Sequence, residues 1–146
     1  ATVTAPTGFL ETNSANNSAT DADTINGLHV GDLDWTSVNT GGTNGTTWSA
    51  SVTITVHDAN HNPVSGVSVS GSWGTTAGAG SGNCTTNASG QCTVTRTGLS
   101  RTGNASVTYL VTNLTRSPDG YQFTLNHDPD AAPQNSNGTT ITVPKP

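Results

Sequence analysis

Short acidic pairs are the residues of this sequence best suited to binding an ion. Asp32 and Asp34, and again Asp128 and Asp130, are spaced two residues apart in turn-rich sequence. Calcium takes six to eight oxygen ligands from carboxylates and loop carbonyls. If the two pairs meet at one pole of the fold, they form part of a calcium site. The alternative is that they are solvated turn residues that accept hydrogen bonds from nearby backbone.

His57 and His61 are spaced four residues apart, which on a helix would place both rings on one face for zinc binding. The surrounding sequence instead predicts a strand end followed by a turn, so zinc-binding geometry is not expected from this pair. Serine is abundant, but no Gly-x-Ser-x-Gly elbow is present, and the aspartates lie mostly in turn-like sequence. The sequence therefore indicates no catalytic residues and no enzymatic activity.

The two cysteines, Cys84 and Cys92, flank a segment rich in turn-forming residues. If the turn is centred on residues 87–89, the cysteines face each other across a hairpin, within disulfide reach. The alternatives are two free thiols or a metal-binding pair, but no further cysteine and no suitably spaced histidine completes a zinc site. A disulfide indicates an oxidising, extracytoplasmic location, either secreted or on the cell surface.

Composition limits the classes of function. The chain has 146 residues, of which 9% are charged and 30% are hydrophobic, with a net charge of −5. One domain is expected at this length. The 4 Lys and Arg residues cannot form a phosphate-binding stripe, so nucleic acid is not expected as a partner. No apolar run approaches the roughly 18–20 residues that span a membrane. The chain begins without a signal peptide, as expected of a mature exported protein.

Alternating apolar and polar residues predict short β-strands. The clearest run is 48–56, in which Trp48, Ala50, Val52, Ile54 and Val56 alternate with Ser and Thr. Further strands are predicted around the following apolar residues: Leu28 to Trp35, Val67 to Trp73, Cys92 to Val94, Ala105 to Val111, Tyr121 to Leu125, and Ile141 to Val143. Residues 36–47 and 74–82 are predicted to be loops. This pattern predicts an all-β, immunoglobulin-like sandwich of about seven to eight antiparallel strands.

Residues 1–27 differ from the rest of the chain. They are rich in Thr, Ser, Asn and Asp, and they predict an extended N-terminal segment or linker before a sandwich domain at 28–146. A β-prone start and one apolar pair make this segment a candidate for strand donation to a neighbouring copy. The residues proposed for self-assembly are Ala1, Thr2, Val3, Thr4, Phe9 and Leu10.

Several stretches of residues 28–146 resemble an immunoglobulin-like module found at the C-terminal ends of exported bacterial proteins, including secreted subtilisin-like proteases. They include HVGDLD at 29–34, VTITVHDANHNPV at 52–64, VSGSW at 69–73 and NHDPD at 126–130. More distantly, the chain is similar to the Ig-like repeats of invasin and intimin adhesins. The resemblance implies a sandwich fold, an extracellular setting and no catalysis. It implies no specific ligand.

Three functions are consistent with these observations. The first is a passive structural or interaction module, a spacer or adhesive unit of a secreted or surface protein. The second is a surface-fibre subunit that polymerises head to tail through its N-terminal strand. The third is an accessory module that binds extracellular polysaccharide, for which Trp35 is the least constrained of the 3 tryptophans. Apart from calcium, no cofactor is expected.

Asn-x-Ser/Thr sequons make glycosylation a further candidate modification, which would suit an exposed coat or fibre. They begin at Asn16, Asn44, Asn83, Asn87, Asn104, Asn113 and Asn137.

Overall fold

The computed structural model describes residues 27–41, 45–74 and 79–146, together with Thr4, Thr7, Gly8, Leu10 and Thr12. Within these residues the regular elements are β-strands and one 3-10 turn at Phe123–Leu125. The strands are β1 (Gly27–Thr40), β2 (Thr47–His57), β3 (Ser68–Gly74), β4 (Gly80–Thr85), β5 (Gln91–Ser100), β6 (Ser106–Thr115), β7 (Gly120–Tyr121) and β8 (Thr140–Pro144). No helix among the described residues has the length and apolar character needed to cross a membrane.

Two 4-stranded sheets form the sandwich, with the strand orders β5-β2-β1-β7 and β4-β3-β6-β8. Neighbouring strands are antiparallel except β1 and β7, which pair in parallel through Gly27–Gly120 and Leu28–Tyr121. The predicted all-β sandwich is therefore confirmed, and the short parallel pair is a departure from the predicted antiparallel arrangement.

Strand alternation builds the core between the two sheets. In β2 the side chains of Val52, Ile54 and Val56 are fully buried, while Thr53 and Thr55 lie half-buried on the opposite face. Because successive side chains point to opposite faces of a strand, this pattern places the apolar side in the sandwich. The other large buried side chains are Trp48, Trp73, Tyr109, Leu28, Leu33, Leu114 and Ile141.

Both predicted loops are shorter than expected. β1 continues to Thr40 and β2 begins at Thr47, because Thr, Ser and Val in residues 36–40 extend the ladder with β2. In the Gly-rich segment, β4 begins at Gly80 and pairs with β3. Glycine is needed there because a Cβ at Gly82 would lie 2.7 Å from Nε1 of Trp73.

The predicted strand through Tyr121, Phe123 and Leu125 is wrong beyond its first residue. β7 ends at Tyr121, and the chain then makes a 3-10 turn in which the Leu125 N–H donates to the Gln122 carbonyl at 3.0 Å. A 3-10 turn does not alternate faces as a strand does. Phe123 is consequently 67% exposed and Leu125 45% exposed.

The structure joins Cys84 and Cys92 in a disulfide. The cysteines do not face each other across a hairpin, as the turn-rich spacing predicted, because β4 and β5 belong to different sheets. Thr86 lies in the connection between β4 and β5. Its hydroxyl accepts a hydrogen bond from the Val67 N–H at 2.9 Å and donates one to the Val64 carbonyl at 2.7 Å. The disulfide therefore ties one sheet to the other.

Residues 122–134, which we call the strap, run along the edge of β1 that faces away from β2. The Gln122 N–H donates to the Leu28 carbonyl at 2.8 Å, and the His127 N–H donates to the Val30 carbonyl at 3.0 Å. The strap follows β7 along the same edge of β1, but it does not form a regular strand. It brings the second half of the predicted acidic motif, Asp128 and Asp130, beside β1.

Candidate metal centre

All 4 histidines of the chain converge at one pole of the sandwich. Two of them come from neighbouring strands: His29 of β1 is the register partner of His57 at the end of β2. Directly opposed residues of an antiparallel pair have side chains on the same face of the sheet. His57 follows Thr53 and Thr55 in alternation, so both rings lie on the outer face, away from the core.

A β-bulge at Gly31 makes room for these rings. The β1–β2 register shifts between Val30 and Asp32, which leaves Gly31 as the additional residue. The His57 imidazole occupies the space above Gly31, and a Cβ added at this glycine would clash with Nδ1 of the ring. The absence of a side chain at residue 31 is therefore what allows His57 to lie beside His29.

A tight turn after β2 positions His61. One carboxylate oxygen of Asp58, Oδ1, accepts hydrogen bonds from the backbone N–H of Asn60 at 2.8 Å and of Asn62 at 2.9 Å. These N–H groups hold the pKa of Asp58 below its ordinary value, because they stabilise the carboxylate form. His61 has a φ of 61°, in the left-handed region that non-glycine residues rarely adopt. The exposed His61 ring lies beside His29, with ring centroids 5.1 Å apart.

The strap supplies the fourth histidine, His127. Its Nδ1 lies 3.2 Å from the Leu125 carbonyl oxygen, which can only accept, so the contact requires a proton on Nδ1. That tautomer leaves the Nε2 lone pair free for a metal ion, an orientation typical of ligating histidines. Gly138, at a φ of 71°, lets the following chain lie against His127, because a Cβ there would be 2.5 Å from the His127 nitrogen.

The four rings are close enough to share one ion. The separations between ring centroids range from 5.0 Å for His61–His127 to 6.1 Å for both His57–His61 and His57–His127. One ring nitrogen from each histidine lies within 4.8 Å of the other three. A tetrahedral ion with bonds of about 2.0–2.1 Å needs nitrogen separations of about 3.3–3.4 Å. The observed limit of 4.8 Å is larger than this, so tetrahedral binding would draw the more distant nitrogens closer together.

His29 forms the buried floor of the cluster. It is only 1% exposed, and both of its ring nitrogens lack a hydrogen-bond partner among the described residues. The buried Nδ1 of His57 likewise has no partner in the described ranges. A buried polar group without a partner costs about 1–3 kcal/mol. A metal ion bound by the ring lone pairs would offset part of this cost.

Burial also favours the neutral form of His29 and His57. Burial, followed by the charges of the other three histidines, lowers the pKa of His29 to about 4, although Asp58 opposes the shift. Burial and the neighbouring His127 and His61 also lower the pKa of His57. Because metal ions bind the neutral imidazole, these shifts favour the ligating form at neutral pH.

A second cluster, of carboxylates, lies along the same strand. Asp32, Asp34 and Asp130 have oxygens within 4.8 Å of one another, and so the predicted acidic pairs do meet at one pole. Asp128 lies close enough to raise the pKa of Asp32, but it is not one of this group of three. Burial, followed by Asp34, Asp128 and Asp130, raises the pKa of Asp32 to about 6. Burial and Asp130 also raise the pKa of Asp34. Calcium binding by these residues stays a prediction.

His57 and His61 lie at a strand end and in a turn, as expected, yet the structure places both in one group of four histidines whose nitrogens lie within 4.8 Å of one another. The strand end and turn were predicted correctly, but a turn can bring residues four apart together when one of them adopts a left-handed conformation. The sequence did not indicate that His29 and His127 join this group, because they lie 28 residues before and 70 residues after His57. Their occurrence beside the acidic pairs, in HVGDLD and NHDPD, was the available signal.

Trp35 is less free than its sequence position indicated. It is half-buried, and its indole Nε1–H donates to the Pro133 carbonyl at 3.0 Å. Binding of polysaccharide by this residue stays a prediction. Of the residues proposed for self-assembly, Thr4 and Leu10 are exposed, with Leu10 at 89%. Ala1, Thr2, Val3 and Phe9 lie outside the described residues.

The sequons differ in accessibility. Asn83, Asn87, Asn113 and Asn137 are exposed, whereas Asn104 is only 2% exposed, so the folded chain does not present Asn104 to a glycosylating enzyme. Asn87 and Asn137 use their side-chain oxygens to cap turns: Asn87 accepts from the Ser89 N–H at 2.9 Å, and Asn137 accepts from the Thr140 N–H at 2.6 Å. Asn16 and Asn44 are not among the described residues.

A comparison of the chain with family models, curated proteins and solved structures finds no match.

Proposed function

We propose that this chain is a non-catalytic, extracellular, immunoglobulin-like structural or interaction module whose sandwich pole binds one divalent transition-metal ion. The ligands are His29, His57, His61 and His127. The observation that carries the proposal is the convergence of four imidazoles on a buried His29 whose ring nitrogens have no hydrogen-bond partner in the described part of the chain.

The ligand set selects a class of metal. Four imidazole nitrogens suit zinc, copper and nickel ions, whereas calcium and magnesium require oxygen ligands. Four protein ligands also complete a tetrahedral shell, as in structural zinc sites, whereas catalytic zinc sites keep one position for water or substrate. A closed site supports a structural role for the ion and is consistent with a module that performs no chemistry.

The extracellular setting rests on a different observation. The Cys84–Cys92 disulfide is of the kind that persists in oxidising compartments. A chain with 30% hydrophobic residues has a limited core, and cross-links are a common way to stabilise such domains. A disulfide between the sheets and a metal ion at the pole would together supply two such cross-links.

Zinc titration of the chelator-treated chain tests the proposal. We expect one zinc equivalent to bind by isothermal titration calorimetry and to raise the unfolding free energy, by about 2.7 kcal/mol at a free zinc concentration 100 times Kd. Calcium should not compete. The variants His29→Ala and His61→Ala should each weaken zinc binding, and the exposed ligand His61 can be replaced without opening the core.

Asn113→Ala, a change at an exposed polar residue of β6, is the matched control and should bind zinc as the unmodified chain does. Absence of zinc uptake by the unmodified chain would overturn the proposed function. Equal affinity in the unmodified chain and both histidine variants would place the ion elsewhere and would also contradict it.

A further inference from the structure

Amide side chains add to the backbone hydrogen bonds that attach the strap to β1. The Val30 N–H donates to Oδ1 of Asn126 at 2.9 Å. At the other end, the Gln134 amide makes the two hydrogen bonds that the backbone of a neighbouring strand would make. Its Oε1 accepts from the Trp35 N–H at 3.0 Å, and its Nε2 donates to the Trp35 carbonyl at 3.1 Å. The strap therefore covers an edge that would otherwise present unpaired N–H and C=O groups, which is the part of a sheet most prone to pair with another chain.

Like charges oppose this attachment. Asp128 and Asp130 of the strap face Asp32 and Asp34 of β1, and Asp34, Asp130 and Asp32 approach within 4.8 Å. Carboxylates at such distances repel one another unless a proton or a cation lies between them. The middle of the strap is thus held against β1 by its two ends, near Asn126 and near Gln134.

The histidine cluster joins the strap to the body of the sandwich. His29, His57 and His61 belong to β1, to β2 and to the turn that follows β2, whereas His127 alone belongs to the strap. An ion bound by all four makes three bonds to the body and one to the strap. The closed arrangement offers four ligands, and an arrangement with the strap released offers three. A ligand that binds one state more tightly shifts the population toward that state.

We infer that the metal ion works as a clasp that holds the strap closed over the edge of β1, so that removing the ion releases residues 122–134 and uncovers that edge. This inference rests on the proposed function, because it requires an ion at the histidine cluster. It adds that the ion controls access to a sheet edge.

Hydrogen–deuterium exchange of the full 146-residue chain, followed by mass spectrometry, tests the clasp. The informative amides are those of Val30 and Trp35, whose N–H groups donate to the strap. Exchange is compared after chelator treatment and at saturating zinc. We expect zinc to slow exchange in peptides covering residues 28–36 by about tenfold or more, the size of shift that a differential ligand of this kind produces. Peptides from β3 and β6, in the other sheet, should change much less.

Two variants separate the clasp from zinc binding as such. His127→Ala and His61→Ala each leave three histidines, and so both should bind zinc with reduced affinity. At saturating zinc, His61→Ala should still protect the β1 edge, because the ion still joins His127 to the body. His127→Ala should bind zinc without protecting that edge.

The outcomes distinguish the two proposals. If calorimetry shows no zinc binding to the unmodified chain, the proposed function fails. If zinc binds but exchange at residues 28–36 is the same with and without it, the proposed function stands and the clasp is overturned. Equal protection of the β1 edge in His61→Ala and His127→Ala at saturating zinc would also overturn it.

Discussion

His29 and His57 form the first residue pair of the β1–β2 ladder, two residues before the bulge at Gly31, with ring centroids 5.8 Å apart. The bulge at Gly31 determines what lies beside them. In an unbroken strand, residues three apart point to opposite faces. The additional residue brings Asp32 to the same outer face as His29. One irregularity in β1 thus places a histidine cluster and a carboxylate cluster side by side.

Gly31→Ala should impair the centre by displacing the His57 ring. The added Cβ clashes with the imidazole, so either the ring or the backbone of the bulge must move. We expect a loss of about 1–3 kcal/mol in unfolding free energy, the usual cost of overpacking a tight site. Zinc affinity should fall by about tenfold or more, because such sites depend on ligand orientation. Urea denaturation and calorimetry measure the two effects.

Gly103→Ala is the matched control for this substitution. A Cβ at Gly103 meets the Ser100 side chain at 3.6 Å, an ordinary van der Waals contact. We expect both stability and zinc affinity to stay close to those of the unmodified chain. If Gly31→Ala behaves like Gly103→Ala, the packing of His57 against the bulge does not position the ligand.

The fold was largely predictable because the apolar and polar residues of the long strands alternate strictly. Trp48 to Val56 shows the pattern most clearly, and the structure buries its apolar positions as predicted. The alternating pattern did not predict the structure correctly where the residues do not face the core, because burial does not fix a strand register there. Phe123 and Leu125 alternate with polar residues, yet the chain makes a 3-10 turn there and exposes both side chains.

The histidine centre could not be assembled from spacing alone. Three separate segments supply its histidines, and their approach depends on the pairing of β1 with β2 and on the path of the strap. The predicted calcium site required the two acidic pairs to meet at one pole of the fold. The structure does place Asp32 and Asp34 close to Asp130. The bulge at Gly31 could not be predicted from the sequence, because glycine in a strand is compatible with several local structures.

Asp58→Ala should weaken zinc binding by disordering the turn that carries His61. Asp58 accepts the N–H groups of Asn60 and Asn62, and His61 lies between these two residues in an uncommon backbone conformation. Without that acceptor, the turn loses two hydrogen bonds that hold His61 in position beside the cluster. We expect a fall in zinc affinity of about tenfold, as for other residues that position ligands.

Asp58→Asn is the informative companion variant. Its side-chain oxygen can still accept the two N–H groups, so it should retain more zinc affinity than Asp58→Ala. The prediction is contradicted if calorimetry gives Asp58→Ala the affinity of the unmodified chain. Equal losses in both variants would instead indicate that the negative charge of Asp58 matters more than the turn.

Removing the disulfide should destabilise the sandwich. Cys84 and Cys92 are separated by 8 residues and join the two sheets. Closing so short a loop limits the unfolded chain and contributes roughly 2–3 kcal/mol in the chain-entropy model. The double variant Cys84→Ala/Cys92→Ala should lose about that much in urea denaturation. As a control, dithiothreitol should lower the stability of the unmodified chain but leave the double variant unchanged, and a shift in both would contradict this reading.

Acidification should affect the metal-free chain through two opposing groups. The pKa of His29 is lowered from 6.5 to about 4, so its contribution to stability is present above pH 6.5 and is lost as the pH falls toward 4. The pKa of Asp32 is raised from 3.8 to about 6, so its charged form destabilises the fold above pH 6, and this cost disappears as the pH falls toward 3.8. Between pH 6 and pH 4 the two effects partly cancel.

Asp32→Asn should remove one side of this balance. In the presence of chelator, the variant should be more stable than the unmodified chain at pH 7, because the cost of burying the charged carboxylate and its repulsion with Asp34, Asp128 and Asp130 are both lost. Its unfolding free energy should then fall more steeply between pH 6 and pH 4, because the effect of His29 is no longer opposed. Urea denaturation at half-unit pH intervals measures both slopes. Parallel pH profiles for the two proteins would show that Asp32 does not titrate in this range, and that the carboxylates of the strap and β1 do not repel one another as their positions indicate.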